Sequence, residues 1–70
     1  MVKYTAIHKG NVYNAEIGES VYGDYQLTIS RSRQGKKPKV CFTNLCKSRF
    51  DAMIKLESYI PDLSWKEDAR

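Results

Sequence analysis

No apolar run in this sequence approaches the ~18 residues that a membrane-crossing helix needs. Met1 is followed by Val-Lys-Tyr rather than by the apolar core of a leader. A cytoplasmic chain is therefore expected, or a nuclear one if its source has a nucleus. Cysteine is scarce. Cys41 and Cys46 are too few for the disulfide scaffold of a small secreted domain, and their spacing, with the lone His8 far away, suits no structural metal. They read as reduced, partly buried thiols. The sharper alternative is redox control at Cys46, beside a helix start that would lower a thiol pKa. There is no Gly-rich phosphate loop, no nucleophile elbow and no acid pair at an evident spacing. Glu16 and Glu19 read as solubilising, and neither metal, cofactor nor catalysis is expected.

The most informative absence is of acid. No Asp or Glu lies between Arg31 and Arg49, and this stretch holds seven of the twelve bases: Arg31, Arg33, Lys36, Lys37, Lys39, Lys47 and Arg49. Residues 1–30 set Lys3 and Lys9 against Glu16, Glu19 and Asp24. Residues 50–70 set Lys55, Lys66 and Arg70 against Asp51, Glu57, Asp62, Glu67 and Asp68. The three balances are −1, +7 and −2, so the net charge of +4 conceals a basic patch on a mildly acidic body. A few lysines at a hairpin tip are explained as guards against edge-to-edge aggregation. Seven uncompensated bases repel one another, and they point instead to a polyanion.

What is present reads as one small domain over residues 1–70. With 41% hydrophobic and 29% charged residues the chain is expected to fold. At this length it buries only about 60% of its unfolded surface, which makes self-association a common way to add core. Residues 2–8 and 12–17 read as strands around the Lys9-Gly10-Asn11 turn, with Tyr13, Ala15 and Ile17 on one face. Gly18–Asp24 is expected to be a loop carrying Val21 and Tyr22. Residues 25–33 form the clearest strand: Tyr25, Leu27 and Ile29 line one face, and Arg31 and Arg33 continue it. Gln34–Pro38 reads as a hairpin turn. The return strand 39–43 is expected to place Val40 and Phe42 on one face and Lys39, Cys41 and Thr43 on the other. Ser48 followed by Asp51 is a capping-box variant, with Asn44 as rival cap. A helix then runs to Pro61, packing through Phe50, Met53, Ile54 and Ile60, with Leu56 at the edge. The expected class is α+β: a three- to four-stranded antiparallel sheet followed by one C-terminal amphipathic helix, ββββα. Trp65 is expected to close the core's edge or to meet a second subunit.

The aromatic content bears on which polyanion is bound. Five Tyr, two Phe and one Trp exceed what a core of this size is expected to need. Tyr4, Tyr13, Tyr22 and Tyr25 all precede or begin the basic ribbon, and rings beside a basic groove are how single strands are held. Tyr22, next to Gly23, is the expected exposed ring; Tyr25 reads as core.

From Lys37-Pro38 through a short strand ending at Leu45, the segment Cys46–Arg49, Phe50 and a Met/Ile-rich helix, the order of residues resembles the single-stranded-DNA-binding transcriptional coactivators of the p15 type. The stretch Tyr22–Ile29, followed by Arg31 and Arg33, is similar to that family's second strand and the aromatic-bearing turn before it. The likeness covers about residues 12–60. It implies a curved four-stranded sheet and one helix, a dimer formed through the helices (Phe50, Met53 and Trp65 being the candidates here), and single strands bound along basic strands. By position Tyr22 would stack, while Arg31 and Lys37 would contact phosphates. Arg33 stands where the family carries a stacking aromatic, and the hairpin loop is shorter, so charge is expected to outweigh stacking.

The leading expectation is a non-catalytic nucleic-acid-binding protein that prefers single-stranded DNA and modulates transcription, replication or recombination, acting as a homodimer. Two other readings compete. One is a protein-interaction module, such as a phage-encoded inhibitor of a host nucleic-acid enzyme. The other is a three-stranded-sheet domain that lays a sheet face into duplex DNA.

Overall fold

The computed structural model describes residues 2–33 and 35–68. Strands β1 (Val2–His8), β2 (Asn11–Glu19), β3 (Tyr25–Arg33) and β4 (Lys39–Cys46) form an antiparallel meander. Helix α1 (Arg49–Tyr59) follows, and a two-residue strand β5 (Lys66–Glu67) ends the order. The helix crosses one face of the sheet, so β5 pairs with β1 at the edge opposite β4, in the order β4-β3-β2-β1-β5. The architecture is α+β, an antiparallel sheet with one helix, and the fifth strand is an addition to the expected ββββα. Two residues with exposed side chains carry no periodicity, and β5 forms because Leu63 and Trp65 anchor the chain on the core beforehand.

The connections follow from local chemistry. Lys9 and Gly10 both take positive φ (50° and 81°), the twist a two-residue antiparallel turn demands. The β2–β3 turn is shorter than expected because Gly18 and Glu19 stay in the ladder. Ser20 N–H donates to the Asp24 carbonyl (2.7 Å) and Gly23 N–H to that of Ser20 (3.1 Å). Of the expected hairpin turn, Gln34 lies outside the described residues; Lys36 N–H donates to the Arg33 carbonyl (3.0 Å).

One face of the sheet and α1 enclose the core: Tyr4, Ala6, Tyr13, Ala15, Ile17, Leu27, Ile29, Cys46, Ala52, Leu56 and Leu63. Tyr4 stands opposite Ala15, and Ala6 opposite Tyr13. Each ring therefore fills the space its alanine partner leaves, which is how a thin core reaches native density. This corrects the expectation of surplus aromatics, because Tyr4 and Tyr13 are core residues.

Ser48 is the cap, its hydroxyl accepting from Asp51 N–H (3.1 Å), and Ile60 turns extended before Pro61. The buried stripe of α1 departs from the expected one. Ala52 and Leu56 are fully buried, and Met53, Tyr59 and Ile60 pack beside them, whereas Phe50 is 75% and Ile54 50% exposed. Alanine lets the helix axis come close to β2 and β3, and a phenylalanine in its place would hold the layers apart. Hydrophobicity placed Met53, Leu56 and Ile60 on the core side, but it turned the stripe toward Phe50 and Ile54 and missed Ala52.

Candidate nucleic-acid interface

In a meander, successive turns alternate between the two ends of the sheet. The β1–β2 turn and the β3–β4 hairpin thus share one end, while the β2–β3 turn and the start of α1 share the other. This divides the seven bases. Arg31, Arg33, Lys36, Lys37 and Lys39 stand at the hairpin end, and Lys47 and Arg49 lie past the far end of β4, beside Cys46, which pairs with Tyr25. The eight residue steps of β3 put the two ends ~26 Å apart. Tyr22, 90% exposed, belongs to the far end, so it does not converge with Arg31 and Lys37.

The two ends differ in balance. The strand-and-turn segments at the hairpin end, residues 7–13 and 31–41, contain Lys9, Arg31, Arg33, Lys36, Lys37 and Lys39 and no acid, although α1 also runs toward this end and Asp62 follows it. At the far end Arg49 lines a hollow with Glu19, and Asp24 and Asp51 are near in sequence to Tyr25 and Arg49. The ion pairs among the described residues are Lys3–Glu16 (3.9 Å) and Lys55–Asp51 (3.6 Å), and neither involves the hairpin. Lys9 is the base that sequence reading missed. Its place follows only once the strands are seen to pair as a meander, which brings the first and third turns to the same end.

The register of β4 decides which way the hairpin bases point. Tyr25, Leu27 and Ile29 pair with Cys46, Asn44 and Phe42, but Ser30 pairs with Val40 and Arg31 with Lys39. Cys41 is therefore the extra residue of a β-bulge. In an unbroken register Val40 would stand opposite Arg31, in line with Phe42, and Lys39 would face the uncovered side. The bulge reverses this, turning Lys39 to the helix side across from Arg31 and leaving Val40 58% exposed. The expectation that Val40 and Phe42 share a face is corrected, since strict alternation does not survive an inserted residue. The arrangement forgoes part of the ~1.5–3 kcal/mol of a fully buried valine side chain. Like charges directly across a strand pair are destabilising as well.

Side chains around this pair come from three elements. Arg33 Nε donates to Asn11 Oδ1 (3.2 Å), fixing the outermost arginine along β2. Tyr59, in the last turn of α1, packs its ring on Phe42 with centroids 5.6 Å apart and planes tilted by 48°. Burial pushes the Tyr59 phenol above its ordinary value, helped by the Cys41 thiol, through its charge and a hydrogen bond, and by Tyr13, against a smaller downward pull from Arg31. Cys41, Tyr13 and Arg31 thus each lie within electrostatic reach of Tyr59. Cys41 is exposed and Cys46 buried, both as free thiols, and the exposure of Cys41 follows from its place in the bulge.

The uncovered face of the sheet is different in kind. It carries the Thr5–Asn14 and Gln26–Thr43 hydrogen bonds and the Lys3–Glu16 pair, with Ser30 and Ser32 between. It is close to neutral and mixed in character, with Ile7, Val40 and Leu45 exposed among the polar side chains. Comparison with known proteins finds no match: no family model, no curated protein and no solved structure.

The expected dimer residues are divided as well. Phe50 projects into solvent, whereas Met53 and Trp65 rest on the chain's own core and line one hollow with Tyr4, Glu57, Pro61 and Leu63. The indole Nε1 of Trp65 is buried without a hydrogen-bond partner. Among the described residues no group of three His, Cys, Asp or Glu could hold a metal ion, and no helix is long and apolar enough to cross a membrane.

Proposed function

We propose that this chain is a non-catalytic nucleic-acid-binding protein that grips a sugar–phosphate backbone at the hairpin end of its sheet and prefers single-stranded DNA. The observation that carries the reading is the acid-free cluster of Lys9, Arg31, Arg33, Lys36, Lys37 and Lys39 where two turns of the meander meet. Six uncompensated cations at one end of a small domain repel one another and attract a polyanion. A duplex reader needs a helix or sheet face studded with bases and amides. Here the outer side of α1 offers Phe50, Ile54 and Glu57, and the uncovered sheet face is nearly neutral. That favours the single strand over the sheet-in-groove reading. Tyr22, at the opposite end, supplies at most a second, remote stacking point.

On this reading the protein modulates transcription, replication or recombination in the cytoplasm, or in a nucleus, and is related in kind to the p15-type coactivators it resembles. The exposed Phe50 and Ile54 favour a homodimer through α1, and the same patch supports the second reading, a protein-interaction module. Titrating labelled single-stranded and duplex oligonucleotides across salt tests the proposal. Tighter single-strand binding is expected, with log K falling by ~0.7 per log unit of salt for each phosphate neutralised. No binding in dilute buffer, or a flat salt response, would sink it.

A further inference from the structure

We propose that Arg31, Lys39 and the Tyr59 hydroxyl form a discrete site for one phosphate group of a nucleic-acid backbone, on the helix side of the sheet where the hairpin leaves the core. The inference rests on the nucleic-acid reading above and deepens it. Its starting point is the bulge at Cys41, which sets Lys39 directly across from Arg31 and exposes Val40 to do so. Packing alone favours the unbroken register, with valine on the core side and lysine in water. A fold that puts two cations face to face and an apolar side chain outside has an arrangement suited to an anion between them. Bulges recur where a side chain must be re-aimed at a ligand, and local rules are broken most often at functional positions.

The third group comes from a different element. Tyr59 closes α1, rests on Phe42, and lies within reach of the Arg31 charge. Like any tyrosine, it carries its O–H through the neutral range and can donate a hydrogen bond there. Arginine offers a planar fork, lysine a point charge and tyrosine a single O–H. Such a set satisfies several oxygens of one phosphodiester, with the charge-assisted bonds as the strong members. A backbone held here passes over the C-terminal end of α1 rather than across the uncovered face. Tyr22 and the far-end bases are then not needed to orient it.

The test is a salt titration of a labelled oligothymidylate with wild-type protein and with Arg31→Gln, Lys39→Gln, their double variant, Arg31→Lys and Tyr59→Phe. Lys66→Gln, on β5, is the control. One phosphate shared by two cations predicts little loss of slope from either glutamine variant alone, because the remaining cation still neutralises it, and a loss of about 0.7 from the double. Affinity at fixed salt should fall roughly tenfold, as for loss of a charge-assisted bond. Arg31→Lys should keep the slope, and Tyr59→Phe should keep it while losing roughly threefold in affinity. Thermal midpoints of the glutamine variants should not drop, because a like-charge pair has been relieved. A double variant that binds like wild type overturns this site and leaves the nucleic-acid reading standing. Single variants that each lose about 0.7, adding to about 1.4 in the double, overturn the shared phosphate. Absence of wild-type binding overturns both.

Discussion

At the residue scale, the hairpin end holds charges that the fold does not neutralise and one phenol that it does constrain. Tyr59 is shifted upward by burial first and by Cys41 next. A raised folded-state pKa means that the neutral form is the one the fold favours. Its contribution to stability is fully present below the ordinary value of 10.0 and is lost as pH rises through the shifted one. Tyr59→Phe, which has nothing to ionise, should lose less stability than wild type above that value and about the same fraction below it. Denaturant titrations at neutral and strongly alkaline pH check this, and parallel losses in both proteins would refute it. Tyr13 shows why such roles escape a linear reading. Its place on the inward face of β2 was legible from alternation, but its being opposite an alanine on β1 and opposite Arg31 on β3 was not. Those are facts of register, and register is settled by pairing between strands distant in sequence.

At the element scale, the three-strand core of the meander was readable because its signals are local. Period-two alternation marked β3 over 25–33, glycine turns bounded β1 and β2, and the Ser48–Asp51 signal, with Asn44 as its rival, marked the helix start. The helix face was readable only in part. Its orientation depends on how closely α1 approaches β2 and β3, and Ala52, a weak signal in any hydrophobicity pattern, decides that distance by being small. The result is an exposed turn with Phe50 and Ile54 outside. If this turn pairs with a second copy, Phe50→Glu should give monomers in sedimentation while changing the stability of the monomer by no more than ~0.5 kcal/mol, as for an exposed surface position. A sedimentation coefficient unchanged from that of wild type at every concentration would remove α1 as the interface.

At the scale of the whole molecule, the decisive feature is that one basic stretch was split between the two ends of the sheet. Continuity in sequence suggested a single surface from Arg31 to Arg49, but β4 lies between and carries Lys47 and Arg49 to the end where Glu19 awaits. Replacing Lys36 and Lys37 by glutamine should therefore weaken oligonucleotide binding several-fold more than replacing Lys47 and Arg49. Equal losses, measured by anisotropy in the same buffer, would show that both ends engage the strand and that the division has no functional meaning.

The sequence by itself determined the class of the fold, the order and approximate bounds of β1 to β4 and α1, two candidates for the helix cap, and the existence of an acid-free basic segment. These depend on neighbours within a few residues, where propensity, alternation and turn chemistry act directly. Only the tertiary structure decided that Lys9 joins the hairpin bases, that Tyr22 does not, and that a bulge at Cys41 turns Lys39 to face Arg31. Each of these is a matter of which strand end meets which and how two strands slide into register. That is set by burying Tyr4, Tyr13, Leu27, Ile29 and Leu56 together rather than by any residue's own preference.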